Sequence, residues 1–220
     1  MAAPEGRNVT AAYTAPFLVY VGMMLLPLSP QLLYPIRFIV VAGVLLFLSR
    51  PYVQLRPSYT IASIAIGIGV FVIWIAPDLL FDYRHHWLFD NPVIGSAQSS
   101  LAPALREDKF FLLFRVLSSV VLVPVLEELF WRGWLMRWLI NTDFRKVLPG
   151  TYQARAFWLV ALLFAVEHGP YWEVGLLAGI LYNWWIVRTK NLGDCILAHA
   201  VTNAILAVYV LSRAQWQYWL

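Results

Sequence analysis

The chain has 220 residues, 61% of them hydrophobic and only 13% charged, with a mean hydropathy of +0.68. Soluble domains carry about 25% charged and about 45–50% apolar residues, so a water-soluble globule is excluded and an all-α, polytopic transmembrane bundle is expected. The net charge of +4 does not point to nucleic acid, because the basic residues stand between apolar runs and form no phosphate-binding block.

A membrane span needs about 20 apolar residues, since a helix rises about 1.5 Å per residue across a core about 30 Å thick. Seven segments come close, within a range of six to eight. The first covers residues 12–28, closed by Pro27 and Pro30. The second covers 36–48 and the third 61–76. The fourth begins near Phe110 and extends to about Ile140, with a kink at Pro124. The fifth covers 156–168, the sixth 172–187 and the seventh 192–211. The polar stretch 78–109, with His85-His86 and Ser99-Ser100, reads as a loop.

Alternating the spans from a cytoplasmic N-terminus puts Arg7, Arg50, Arg56, Arg137, Arg145, Lys146, Arg155, Arg188 and Lys190 inside. The other side receives mainly Arg84, Arg106, Lys109 and Arg213. Cytoplasmic loops are the Lys/Arg-rich ones, so the expected orientation is N-terminus in and C-terminus out, in a bacterial inner membrane. The whole of 1–220 is read as one membrane domain, with a motif-bearing core at 110–211. Cys195 is the only cysteine, which rules out an internal disulfide and a multi-thiolate metal site.

Ionisable groups inside a span are costly and mark function or a bundle interior. They concentrate in the second half of the chain. Glu128 and Arg132 are four apart on a helix and can pair. Glu127 points elsewhere and has no cation one turn away, which suits a general base. Gly169-Pro170 ends the fifth span at about His168, and an imidazole at that terminus can meet water and substrate. Glu167 faces another way and reads as a polar helix-end residue. His199 and Asn203 share a face of the seventh span and offer donors for an oxyanion. Each feature alone is also explained as a polar contact between helices. Their calculated depths are similar, so convergence on one pocket is expected. Glu127, helped by His168, then takes a proton from a water that attacks a peptide carbonyl.

A zinc site built from Glu127, His168 and His199 is the minority alternative, and no metal or other cofactor is the favoured reading. No His-Glu-x-x-His signature is present. A serine or cysteine nucleophile fits less well, although Cys195 stands one turn before His199. Ser118 and Ser119 read as helix-packing positions.

Three motifs resemble those of the CPBP family of CAAX-type proteases and bacteriocin-processing or immunity-related proteins. They are Glu127-Glu128-x-x-x-Arg132, Phe164-x-x-x-His168 and His199-x-x-x-Asn203, in the family's order. Within it, the resemblance extends to the bacterial CAAX protease-related proteins that accompany exosortase systems, as one candidate subgroup. The resemblance implies a glutamate-type intramembrane endopeptidase. By matching position, Glu127 is the water-activating base, His168 assists, and His199 with Asn203 forms the oxyanion site. Glu128, Arg132 and Phe164 support them. The family's eukaryotic members cut prenylated proteins at a site open to the cytoplasm, and have eight spans where seven are counted here. Bacterial relatives act on unprenylated substrates by the same implication. The expected partners are the lipid bilayer and a protein or peptide substrate, with no nucleic acid. Two other functions compete: a noncatalytic immunity or assembly factor of the same fold, and a small transporter using Glu127, His168 and Arg115.

Overall fold

In lipid a spanning backbone must satisfy its own hydrogen bonds, and a helix does so within one segment. The computed structural model follows that rule: it is 76% helical. Residues 9–99 and 101–219 are described. Arg7, counted above with the cytoplasmic basic residues, Ser100 of the loop pair and the terminal Leu220 lie outside them.

Seven long helical segments are present among the described residues, in the expected order. They are α1 (Val9–Leu25), α2 (Pro30–Tyr52), α3 (Thr60–Phe81), α4 (Lys109–Trp138), α5 (Ala154–Val166), α6 (Trp172–Thr189) and α7 (Leu192–Arg213). Of these α2, α3, α4 and α7 are long and apolar enough to cross a membrane, while α1 and α5 are shorter apolar helices. Large apolar side chains lie outermost, among them Leu46, Ile61, Val72 and Val208. Such an outer face needs lipid as its solvent. One difference from the sequence reading concerns the loop at 78–109. Helix α3 runs through Pro77 and Asp78 and stops at Asp82, whose backbone is left-handed with φ 45°. The Asp78 carboxylate does not end the helix because it accepts from the Tyr218 hydroxyl at 2.7 Å and pairs with Arg84 at 3.3 Å.

Polar caps fix where the helices start. Asp108 accepts from the Phe110 and Phe111 amides and starts α4. Gln153 and Asn191 do the same for α5 and α7. Asp194 is fully buried because it serves the start of α3, accepting from the Ser58 and Tyr59 amides at 3.0 and 2.8 Å. A carboxylate there also meets the positive end of the helix dipole.

These contacts sort the connections onto two faces. The α2–α3, α4–α5 and α6–α7 connections share one, tied by Asn191 to the Arg56 carbonyl and by Lys190 to the Gly150 carbonyl. The α3–α4 and α5–α6 connections and residues 214–219 share the other. There Arg84 reaches Glu173 at 2.8 Å and the Pro170 carbonyl at 2.9 Å. Burial, and then the hydrogen bond to Glu173, hold the neighbouring Tyr83 phenol protonated well beyond its ordinary range.

The most extensive helix pair is α3 with α7. Gly67 makes it so: a Cβ there would meet the Ala198 carbonyl oxygen and stand 2.8 Å from Val201 Cβ. Its carbonyl accepts from the Thr202 hydroxyl at 2.9 Å. Gly67→Ala is therefore expected to cost about 1–3 kcal/mol through overpacking. At about 2–4 °C per kcal/mol for a chain of this size, a lowered melting midpoint in detergent is the readout. A midpoint unchanged within 1 °C would show that the two helices are not in this contact.

Candidate active site

The sequence of α4 makes its middle irregular, and the Glu pair sits there. Pro124 has no N–H to give to the preceding turn, and its ring crowds that turn. The helix widens to i→i+5 bonding at Ser118–Leu122, just before the proline, and again at Leu129–Leu135, just after the pair. Widened turns of this kind re-aim side chains and occur often at functional sites.

Glu128 has no exposed surface and anchors a network. Its Oε1 accepts from Arg132 Nη1 at 3.1 Å and lies 3.0 Å from His199 Nδ1. Arg132 fans its remaining donors to Asn183 Oδ1 at 2.9 Å and the Gly179 carbonyl at 3.3 Å. Its guanidinium lies over the Phe164 ring, 4.6 Å from the centroid. Asn183 in turn donates to the Phe157 carbonyl at 2.8 Å. The pairing expected from four-residue spacing is present, and Glu128 also reaches across to α7.

Glu127 points away from this network into a cavity of about 180 Å³. Its Oε2 is buried and has no hydrogen-bond partner. His168, His199 and Asn203 line the same cavity, with Trp74, Phe164 and Tyr182 among its aromatic walls. The four residues singled out from sequence are thus gathered from α4, the α5–α6 turn and α7. A space of this size, with several polar groups on its wall, has room for several water molecules.

His168 stands just past the end of α5, in the turn formed by Gly169 (φ 52°) and Pro170. Its Nδ1 is 2.7 Å from the Phe164 carbonyl. A carbonyl only accepts, so Nδ1 carries the hydrogen and Nε2 holds the free lone pair. Phe164 thereby supplies both its backbone oxygen and a ring 4.7 Å from the imidazole. Trp74 packs edge-on against the other side at 5.1 Å. Gly175 of α6 allows this placement, since a Cβ there would stand 3.2 Å from the imidazole Cγ and Nδ1.

His199 is held by Glu128 on one edge and stacked on the Tyr182 ring at 5.2 Å, with 22° between planes. Asn203 donates to the Ser119 carbonyl at 2.8 Å, which orients its amide. Ser119 also lines the cavity, so it belongs to the site rather than to helix packing alone. The Cys195 thiol is fully buried against the Tyr182 carbonyl. His85 and His86 are exposed on the α3–α4 connection. Arg37, another basic residue within a span, lies over the rings of Tyr20 and Tyr34, at 4.1 and 4.5 Å. Among the described residues, no three His, Cys, Asp or Glu side chains are placed to share a metal ion.

Sequence reasoning found Phe164 but missed Trp74, Tyr182 and Asn183. Asn183 had a signal, as a lone polar residue inside an apolar helix. Tyr182 had none. Glu167, read as a helix-end residue, is exposed at the end of α5 and borders a second pocket that His168 also lines.

No curated protein and no solved structure matches the chain. Residues 109–205, which hold all three motifs and make up less than half of the chain, match the family described as Type II CAAX prenyl endopeptidase Rce1-like, of the CPBP group.

Proposed function

We propose that the chain is an intramembrane endopeptidase in which Glu127 and His168 activate a water and His199 with Asn203 hold the oxyanion. One observation carries this reading: three separate segments of the chain deliver these side chains to a single cavity of about 180 Å³ inside a membrane bundle. The family match to a prenyl endopeptidase supports it.

The chemistry follows from the hydrogen bonds. The Glu127 carboxylate takes a proton as the water oxygen attacks the peptide carbonyl carbon. The His168 Nε2 lone pair accepts the water's other hydrogen and fixes its direction. Negative charge develops on the former carbonyl oxygen. Asn203 meets it with the amide hydrogen that Ser119 does not use. His199 meets it with Nε2–H, and the hydrogen shared between its Nδ1 and Glu128 Oε1, 3.0 Å apart, holds the ring in that orientation. Glu127 then returns its proton to the leaving nitrogen, the C–N bond breaks, and a carboxylic acid and an amine are released, the acid passing its proton to the amine as they leave.

Asn203→Ala removes one oxyanion donor. It is expected to lower kcat about 10²–10³-fold on a peptide substrate in proteoliposomes, with KM little changed. A chelator is expected to leave the wild-type rate unchanged. An unaltered kcat would remove Asn203 from the mechanism, and loss of activity to the chelator would remove the metal-free version. A noncatalytic partner or a transporter would show no bond cleavage by the purified wild-type protein.

A further inference from the structure

The cavity has a closed end and an open end, and the two point to different sides of the membrane. Toward the face that carries the α2–α3, α4–α5 and α6–α7 connections, the floor is formed by Tyr182 and His199 and backed by the packed Glu128, Arg132, Asn183 and Cys195, each of these four with 1% or less of its surface exposed. At about 1.5 Å per residue His199 is about 10 Å along α7 from Leu192. Trp74 on α3 and Leu206 on α7 line the cavity at about 21 Å from the same ends. Beyond them, the wall is completed by Tyr218 and Trp219, which follow α7 on the opposite face. There the cavity adjoins a vestibule of about 330 Å³ and shares Trp74, His168 and Tyr218 with it. Glu167, Gly169 and Tyr171 of the α5–α6 connection border the vestibule.

Charge assigns the faces. The face behind the floor holds Arg50, Arg56, Arg137, Arg145, Lys146, Arg155, Arg188 and Lys190. The face at the mouth holds Arg84, Arg106, Lys109 and Arg213. Short loops rich in Lys and Arg stay in the cytoplasm, which puts the floor inside and the mouth outside.

We infer that the catalytic cavity opens to the non-cytoplasmic side of the membrane, and that its substrate is a polypeptide segment displayed on that side without a prenyl group. This rests on the endopeptidase reading for the word substrate, but not for the sidedness. It runs against the cytoplasmic opening that the family resemblance implies. A protein lipidated in the cytoplasm would meet the packed floor. A segment that has crossed the membrane, or emerges from it on the far side, meets the vestibule directly.

Single cysteines test this in the full chain. The native Cys195 is buried and gives little background. Val93→Cys lies on the α3–α4 connection at 92% exposure, Leu148→Cys on the α4–α5 connection at 77%, and Glu167→Cys marks the vestibule. The probe is a membrane-impermeant maleimide, applied to intact spheroplasts and again after permeabilisation. The expected result is labelling of Val93→Cys and Glu167→Cys before permeabilisation. Leu148→Cys should rise at least tenfold only afterwards. Labelling of Leu148→Cys in intact spheroplasts, with Val93→Cys protected, overturns the orientation. Glu167→Cys reacting only after permeabilisation while Val93→Cys reacts before it overturns the opening. Cleavage by solubilised enzyme does not depend on sidedness, so either result leaves the protease reading standing. Absence of cleavage in detergent, with the expected labelling, removes the substrate and leaves the outward cavity.

Discussion

Glu127→Gln is expected to lower kcat by about 10³-fold, near the middle of the range for loss of a positioned general base. That corresponds to about 4 kcal/mol of transition-state stabilisation. The amide fills the same space and cannot take a proton. Stability should hold or rise, because the substitution keeps the volume and takes an ionisable charge out of a buried site. Single-turnover peptide cleavage and a tryptophan-fluorescence melt on the same preparation separate the two effects. A rate within tenfold of wild type would end the assignment of Glu127 as base. A lost rate together with a lowered melting midpoint would make it a structural residue.

Arg132→Met is expected to do the reverse, striking stability first. The guanidinium serves Glu128, Asn183 and the Gly179 carbonyl at once. Its removal leaves a fully buried carboxylate, one oxygen of which already lacks a partner. Breaking a buried ion pair from one side costs about 3–5 kcal/mol, or about 6–20 °C in melting midpoint at this chain length. Adding Glu128→Gln to Arg132→Met should recover part of that loss, since the orphaned charge is then gone. Additive losses in the double variant would show that the two side chains do not interact. Arg132→Lys should fall between, because a lysine has one compact charge where arginine has a fork.

Much of this architecture could be read from sequence because lipid imposes a coarse rule. A run of apolar residues near span length has few alternatives to a helix, and the seven runs became seven helical segments. Their ends were less legible. Asp78 reads as the start of a loop until its partners are known, and one of them, Tyr218, is 140 residues away. The site followed the same division. Glu127, His168, His199 and Asn203 stood out as polar groups in apolar runs, and the Glu128–Arg132 pair followed from helical spacing. Spacing along one helix cannot show that Glu128 also holds His199, 71 residues away. Nor can it show that the Ser119 carbonyl orients Asn203, or that Tyr182 supplies the surface on which an imidazole stacks. These are tertiary contacts, made by residues whose types are ordinary in a membrane helix.

The space left by Gly175 reaches further than packing. Helix α6 contributes no reacting atom, yet at Gly175 it lies against the imidazole of His168 with no room to spare for a Cβ. A Cβ there, 3.2 Å from Cγ and Nδ1, would ask the ring to give by a few tenths of an ångström, and a larger side chain would press it away from the Phe164 carbonyl whose bond selects the tautomer. The permissible alphabet at position 175 is therefore dictated by proton chemistry on a neighbouring turn, and a silent helix becomes the gauge against which a working one is set.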